Sequence, residues 1–201
     1  MYSKPMAKSY LKVLLKGSFL IFLLAVFSGC AYRLGSPDRS LPGGYRQIFI
    51  PIFKNKSMEP GIEVPFTNAL IQEYERAKIA RITDSNQAEV VAEGVINSVR
   101  ISKTGADVTG ESNTSLPTGT VQATAYQILI TVELTLKRNS DKSILWAGTF
   151  NGERTFNAAQ IAAVGVNTAN PLYNHSAKRI NMEQMAAEMM SEAHDRSTEN
   201  F

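Results

Sequence analysis

The chain holds one cysteine, one tryptophan and two histidines in 201 residues. A single thiol forms no disulfide within the chain, so the fold has to be held by packing. One cysteine with two histidines also falls short of the ligand sets that zinc sites use, and His175 and His194 are read as surface residues. No acidic residue precedes Asp38, and no run of Lys or Arg suggests a nucleic-acid footprint. The apolar run at residues 18–27 is ten residues long, against the roughly 20 that a membrane-spanning helix needs. No Gly-x-Ser-x-Gly elbow occurs; Gly110-Glu111-Ser112 lies in a loop-like stretch. Glu73 and Glu75, and Glu89 and Glu93, fall on the polar side of a helix or along an ordinary strand and are read as solvation. These absences leave no cofactor, no metal centre and no marked catalytic constellation.

The N-terminus carries the strongest local signal. Lys4, Lys8, Lys12 and Lys16 form a positive region, residues 18–27 form an apolar one, and Phe27-Ser28-Gly29-Cys30 closes it. This order fits a secretory signal. The small pair before Cys30 resembles a bacterial lipobox, with Phe27 where leucine is usual. On that resemblance Cys30 is lipid-modified and becomes the first residue of the mature protein. Lipoproteins of this kind carry three acyl chains, enough for stable attachment where one chain binds only marginally. Ala31, not aspartate, after the cysteine implies onward export to the outer membrane. Of 21 basic residues, four lie before Cys30, leaving 17 against 18 acidic ones in the mature chain, a net charge of −1.

Hydrophobic periodicity then organises the rest. Residues 31–44 contain three glycines and two prolines and read as a tether. Residues 46–53 read as a strand, with Pro51 making it an edge or marking its end. Residues 54–61 read as a polar turn. A helix is expected from about residues 63–65, where Pro65 suits the first turn and Glu63 the positive end of the dipole. Phe66, Ala69, Leu70, Tyr74 and Ala77 make its apolar face. Residues 88–102 are a strand with imperfect alternation, consistent with a bulge or two covered faces. Residues 103–120 have no periodicity and read as a long loop. From Tyr126 to Leu136, apolar side chains alternate strictly with mostly polar ones over a strand at 121–138. The turn at 138–142 returns it into a hairpin partner at 144–156. Residues 157–178 are weakly patterned. Met182, Met185, Ala186, Met189, Met190 and Ala193 recur at helical spacing over a last helix at 181–195, more in keeping with core filling than with a binding surface. Trp146 is read as packing. The economical architecture is α+β: a two-layer sandwich of a mixed four-stranded sheet with two helices on one face. The organisation is a signal peptide at 1–29, an acylated tether at 30–44, one domain at 45–196 and a frayed tail at 197–201.

Several segments together resemble a known family. Cys30-Ala31-Tyr32-Arg33-Leu34 is similar to the CxYxL opening of the LPS-assembly lipoproteins (LptE). IPIFKN at 50–55, EPGIEVPFTNAL at 59–70 and AEVVAEGVI at 88–96 resemble that family's first strand end, first helix and second strand. The resemblance implies a protein without catalytic activity at the inner face of the outer membrane. Its domain would plug the lumen of an LptD-type β-barrel in a 1:1 complex, assist barrel assembly and contact lipopolysaccharide. Lipid A phosphates would need Lys or Arg at strand ends. Lys103, Lys137, Arg138 and Lys142 are the candidates, against the reading that they are ordinary solvating charges at turns. Two other classes compete: a different outer-membrane assembly or secretion lipoprotein, such as a regulator of cell-wall synthases, and a lipid-anchored hydrolase of cell-wall sugars. The hydrolase needs a cleft with two functional carboxylates or a metal, and the sequence supplies neither clearly; loss of activity on replacing Glu59 or Glu63 would revive it.

Overall fold

The computed structural model describes residues 39–108, 121–158, 162–163, 166–167 and 171–199. The expected signal peptide, Cys30 and most of the tether lie outside these residues. The described chain is built from β1 (Gln47–Phe49), β2 (Lys54–Asn55), α1 (Glu63–Ala77), β3 (Arg81–Ile82), β4 (Val90–Val108), β5 (Val121–Arg138), β6 (Ile144–Asn157), β7 (Ala162–Ala163), β8 (Val166–Asn167) and α2 (Pro171–Thr198). The fold is α+β, with two helices and a mixed sheet, as expected. The main sheet has six strands instead of four, in the order β3-β1-β4-β5-β6 with β2 also pairing β4. The extra members are β2 and β3, two residues each, which are too short to show a period. A separate two-stranded pair, β7 and β8, lies in the stretch the sequence left unassigned.

β1, β2 and β3 pair in parallel, and the β4–β5–β6 meander is antiparallel. Pro51 stands two residues past the end of β1, where its missing N–H leaves the ladder intact. β4 carries a register shift between Ile96 and Ser98; ahead of it the register is unbroken, and the adjacent Val91 and Val95 stand on the face opposite Val90, Ala92 and Ile96. Val90, Ala92 and Ile96 point to the core before it, and Val99 packs against the core after it. A bulge thus switches which residues face inward without turning the strand over. β4 continues to Val108, so the start of the expected long loop is strand.

On β5 the alternation holds throughout. Ile128, Ile130, Val132, Leu134 and Leu136 are at most 1% exposed. The helices cover this face. α1 buries Phe66, Thr67, Ala69, Leu70 and Tyr74, while Ala77 is exposed. All six residues of the expected stripe on α2 are buried. Met189 Sδ lies 2.5 Å from where a Cβ on Gly152 would stand, so the glycine lets α2 approach β6 closely. α2 starts ten residues earlier than expected, at Pro171, and Pro171 at a first helical position is the signal that marks it. The expected frayed tail begins too early, since Ser197 and Thr198 are 2% and 0% exposed. No helix among the described residues is long and apolar enough to cross a membrane.

Candidate functional site

The turn between β5 and β6 is tightly built. Its backbone closes through Arg138 N–H to Ser143 O and Lys142 N–H to Arg138 O, both 2.9 Å. Lys142 takes a left-handed conformation with φ of 58°. Asn139 fixes the turn to the sheet end: its side-chain amide donates to the carbonyls of Ser85 and Ala88, both at 2.8 Å. Its N–H donates to Glu89 O at 2.8 Å. Arg138 donates to Tyr45 Oη at 2.7 Å and to Asp141 at 2.9 Å. The Tyr45 bond, with Asp141 behind it, raises the Arg138 pKa further. Asp141 accepts from the Ser143 hydroxyl and N–H, which holds its carboxyl below the usual range. Arg138 and Asp141 therefore neutralise each other.

The positive charge that remains lies beside them on the uncovered face of the sheet. Lys137 donates to Glu93 at 2.8 Å. That bond lowers the Glu93 pKa, and the fields of Lys54 and Lys142 add to it. One carboxylate among three ammonium groups leaves a net charge of +2. A shallow depression of about 290 Å³ opens here, lined by Phe49, Pro51, Ile52, Lys54, Glu93 and Lys142 among others. Ile52 is 62% exposed. This arrangement offers an anion three cations at an apolar-rimmed surface. Lys54 escaped the sequence reading because it stood in an apparently polar turn. Parallel pairing of β2 with β4 brings it to Glu93.

Of the four expected ligand residues, Lys137, Arg138 and Lys142 come together and Lys103 does not. Lys103 pairs with Tyr126, eleven residues along β5 from Lys137, or about 36 Å at strand rise. It stands on the helix-facing side of the sheet, next to the stacked rings of Tyr126 and Phe156 at 5.5 Å.

The remaining candidates are structural. Glu59 accepts from Lys178 at 2.8 and 3.1 Å, and Glu63 accepts from Asn55 at 3.0 Å. These bonds tie β2, α1 and α2 together at the mouth of an open groove of about 750 Å³ that Ile62, Ala69 and Met182 line. Among the described residues no group of three His, Cys, Asp or Glu could hold a metal ion. Trp146 is half-buried, 6.2 Å from Phe150. His194 corrects the sequence reading. It is 2% exposed, not a surface residue, and its ring meets Tyr74 edge-on at 4.9 Å.

The face of β4, β5 and β6 away from the helices carries Ser98, Thr131, Thr135, Thr149, Asn151 and Thr155 in register across three long strands. Thr131 bonds Asn151 across it at 2.9 Å. No described element covers this face.

The model of the family described as LptE, lipopolysaccharide-assembly, matches residues 45–197. No curated protein matches the chain. Among solved structures, lipoprotein B from Nitrosomonas europaea is 10% identical, with a TM-score of 0.48 over 84% of this chain and 91% of that one. PelC from Paraburkholderia phytofirmans, solved as a dodecamer, is 14% identical, with a TM-score of 0.47 over 82% and 96%. A minor lipoprotein from Acinetobacter baumannii is 6% identical, with a TM-score of 0.44 over 77% and 91%. Likenesses this distant carry no functional argument.

Proposed function

The chain belongs to the LptE lipopolysaccharide-assembly family, and from that premise we propose that it is a non-enzymatic outer-membrane lipoprotein that plugs an LptD-type β-barrel. It is acylated at Cys30, assists assembly of the barrel, and acts with it in transport of lipopolysaccharide to the cell surface. The observation that carries this reading is the uncovered polar face of β4, β5 and β6. An antiparallel sheet face can meet water alone, but three long strands in register also give a partner one continuous surface. The wall of a large barrel, which is polar inside, matches a mostly polar surface whose charges nearly balance and which Val91, Val95 and Leu129 interrupt. Lys54, Lys137 and Lys142 contact phosphate groups of lipopolysaccharide at one end of the sheet, with Arg138 bracing the turn. Lys103 makes a separate contact at the other end.

Co-expression with the LptD-type barrel of the same organism tests the proposal. The expected result is a 1:1 complex that survives detergent and protects this chain from protease. A correctly anchored lipoprotein that forms no such complex would refute it and favour a regulator of cell-wall synthases. In the same strain, Cys30→Ala should abolish labelling by a palmitate analogue, and persistent labelling would remove the anchor from the proposal.

A further inference from the structure

One buried titratable group plays no part in the plug reading. His194 lies in the last turns of α2, where Arg39 and the residues after it meet the helix. Leu41 is fully buried there, and Gly44 N–H closes a turn onto Leu41 O at 2.8 Å. Arg39 holds the start of this strap to Asp195 Oδ1 at 2.7 Å. The same oxygen is 3.4 Å from His194 Nδ1. Asp195 accepts only, so the neutral ring carries its proton on Nδ1. Nε2 is then a bare lone pair, and it is buried without a hydrogen-bond partner.

We propose that His194 is a proton-operated latch: neutral, it lets residues 39–44 clamp onto the end of α2, and protonated, it releases them. A proton arriving from solvent can bind only at Nε2, since Nδ1 is already protonated. That makes a charged donor where no acceptor stands, which is strongly unfavourable for a buried group. The ring has to reach water, and the imidazolium also competes with Arg39 for Asp195 Oδ1. The groups that face the ring are the phenol of Tyr74 and the carboxylate of Glu73 from α1, the Arg39 guanidinium from the strap, and Asp195 on its own helix. Burial keeps His194 below the ordinary histidine value, although Asp195 and Glu73 pull it upward. Tyr74, pushed up to about 12 by burial, stays neutral throughout. The strap yields before the sheet, because its ion pair is 40% and 48% exposed and such pairs hold weakly. Residues 39–44 fall within the expected tether of 30–44, and the clamp withholds their reach, up to about 20 Å, until release.

The experiment is amide hydrogen exchange of the full-length protein in detergent between pH 7.5 and 5.0, corrected for intrinsic rates. Opening of residues 39–44 should rise, by up to about tenfold per pH unit, as pH falls from the ordinary histidine value, where the released ring titrates, to the lowered value of the clamped ring, and should level off beneath it, while the amides of β5 keep their protection. In His194→Gln the strap should show no such rise. Asp195→Asn, at a half-exposed position, should raise strap opening a few-fold at both ends of the range. The latch is overturned by a wild-type strap indifferent to pH, by an equal rise in His194→Gln, by a strap that opens no more in Asp195→Asn than in the wild type, or by loss of β5 protection in parallel. Should His194→Gln fail to fold, the wild-type profile and Asp195→Asn decide.

Discussion

Gly94→Ala is the change that most directly tests how the basic depression is built. Gly94 lies on β4 opposite Leu134, and the ring of Phe53 covers it. A Cβ at residue 94 would stand 2.3 to 2.4 Å from three ring atoms of Phe53, well inside any tolerable contact. The ring has little room to retreat. Phe53 is 2% exposed, its ring lies 6.5 Å from that of Phe66, and its N–H donates to Thr67 Oγ1 at 3.0 Å. Overpacking of this kind destabilises by about 1–3 kcal/mol, while exchanging glycine for alanine in a strand returns at most about 1 kcal/mol. The expected net effect is a loss of about 1–2 kcal/mol, or roughly 2–4 °C in Tm for each kcal/mol in a domain of this size.

Urea unfolding of the mature protein measures this, and a double-mutant cycle with Phe53→Leu assigns it. A smaller side chain at 53 leaves space for the new methyl, so the two changes together should be less destabilising than their sum by about 1 kcal/mol. Lys54 follows Phe53 directly, so the single variant should also displace it from Glu93. A stability change below about 0.5 kcal/mol for Gly94→Ala, or strict additivity with Phe53→Leu, would refute the reasoning that the ring lies locked against the sheet.

The other predictions concern separate parts of the domain. Leu134→Ala removes a fully buried side chain from the middle of β5 and should lower unfolding stability by about 2–5 kcal/mol; a loss under about 1 kcal/mol would mean that the helix layer does not seal this face. Asn139→Ala frees the carbonyls of Ser85 and Ala88 and should destabilise by about 1–3 kcal/mol, read by thermal melting, whereas Ser140→Ala in the same turn should not. The Glu93 pKa is lowered in the folded state, so its pairing with Lys137 stabilises above the ordinary glutamate value and is lost as pH falls through the folded one. Glu93→Gln should therefore cost a few tenths of a kcal/mol at pH 7 and nothing near pH 2, and an equal deficit at both would sink the assignment. Thr149→Arg on the uncovered face should leave the unfolding midpoint unchanged and reduce recovery of the barrel complex; undiminished recovery would mean that this part of the face is not in contact.

Much of the fold was legible because burial imposes a period. The alternation on β5 and the methionine stripe on α2 each state which side meets the core, whereas the bulge after Ile96 follows from register with β5. His194 and Ser197 were legible too, since they continue that stripe four residues beyond Met190 and Ala193, but residue type was allowed to outweigh position. Other features are tertiary. β2 and β3 exist because β1 and β4 present unsatisfied backbone, and two residues leave no pattern to read. β4 runs on through Gly105 and Asp107, residues that strands avoid, because register with β5 holds it there. The candidate site was half legible: Lys137, Arg138 and Lys142 follow from the hairpin. Lys54 and the separation of Lys103 follow only from strand order and register.

The long hairpin divides two tasks between the faces of one strand. Even-numbered residues of β5 from Ile128 to Leu136 are sealed under the helices, where a lost methylene is worth roughly 1 kcal/mol. Odd-numbered residues from Leu129 to Lys137 face away, where a change is worth a few tenths. Strand period thus lets the outer face vary to suit a partner without loosening the core. The bulge at Ile96 and Ser98 extends this along β4, since it restores inward-facing positions after the two-residue rhythm breaks. The basic depression lies where the two faces meet at the turn. Phe53 and Gly94 are core contacts, while Lys54 and Glu93, their immediate neighbours in sequence, face outward. Charge at the surface is therefore positioned by packing beneath it. On this reasoning a methyl group on Gly94 reaches both stability and site, while a charge change on the outer face reaches the site and costs only a few tenths of a kcal/mol in stability.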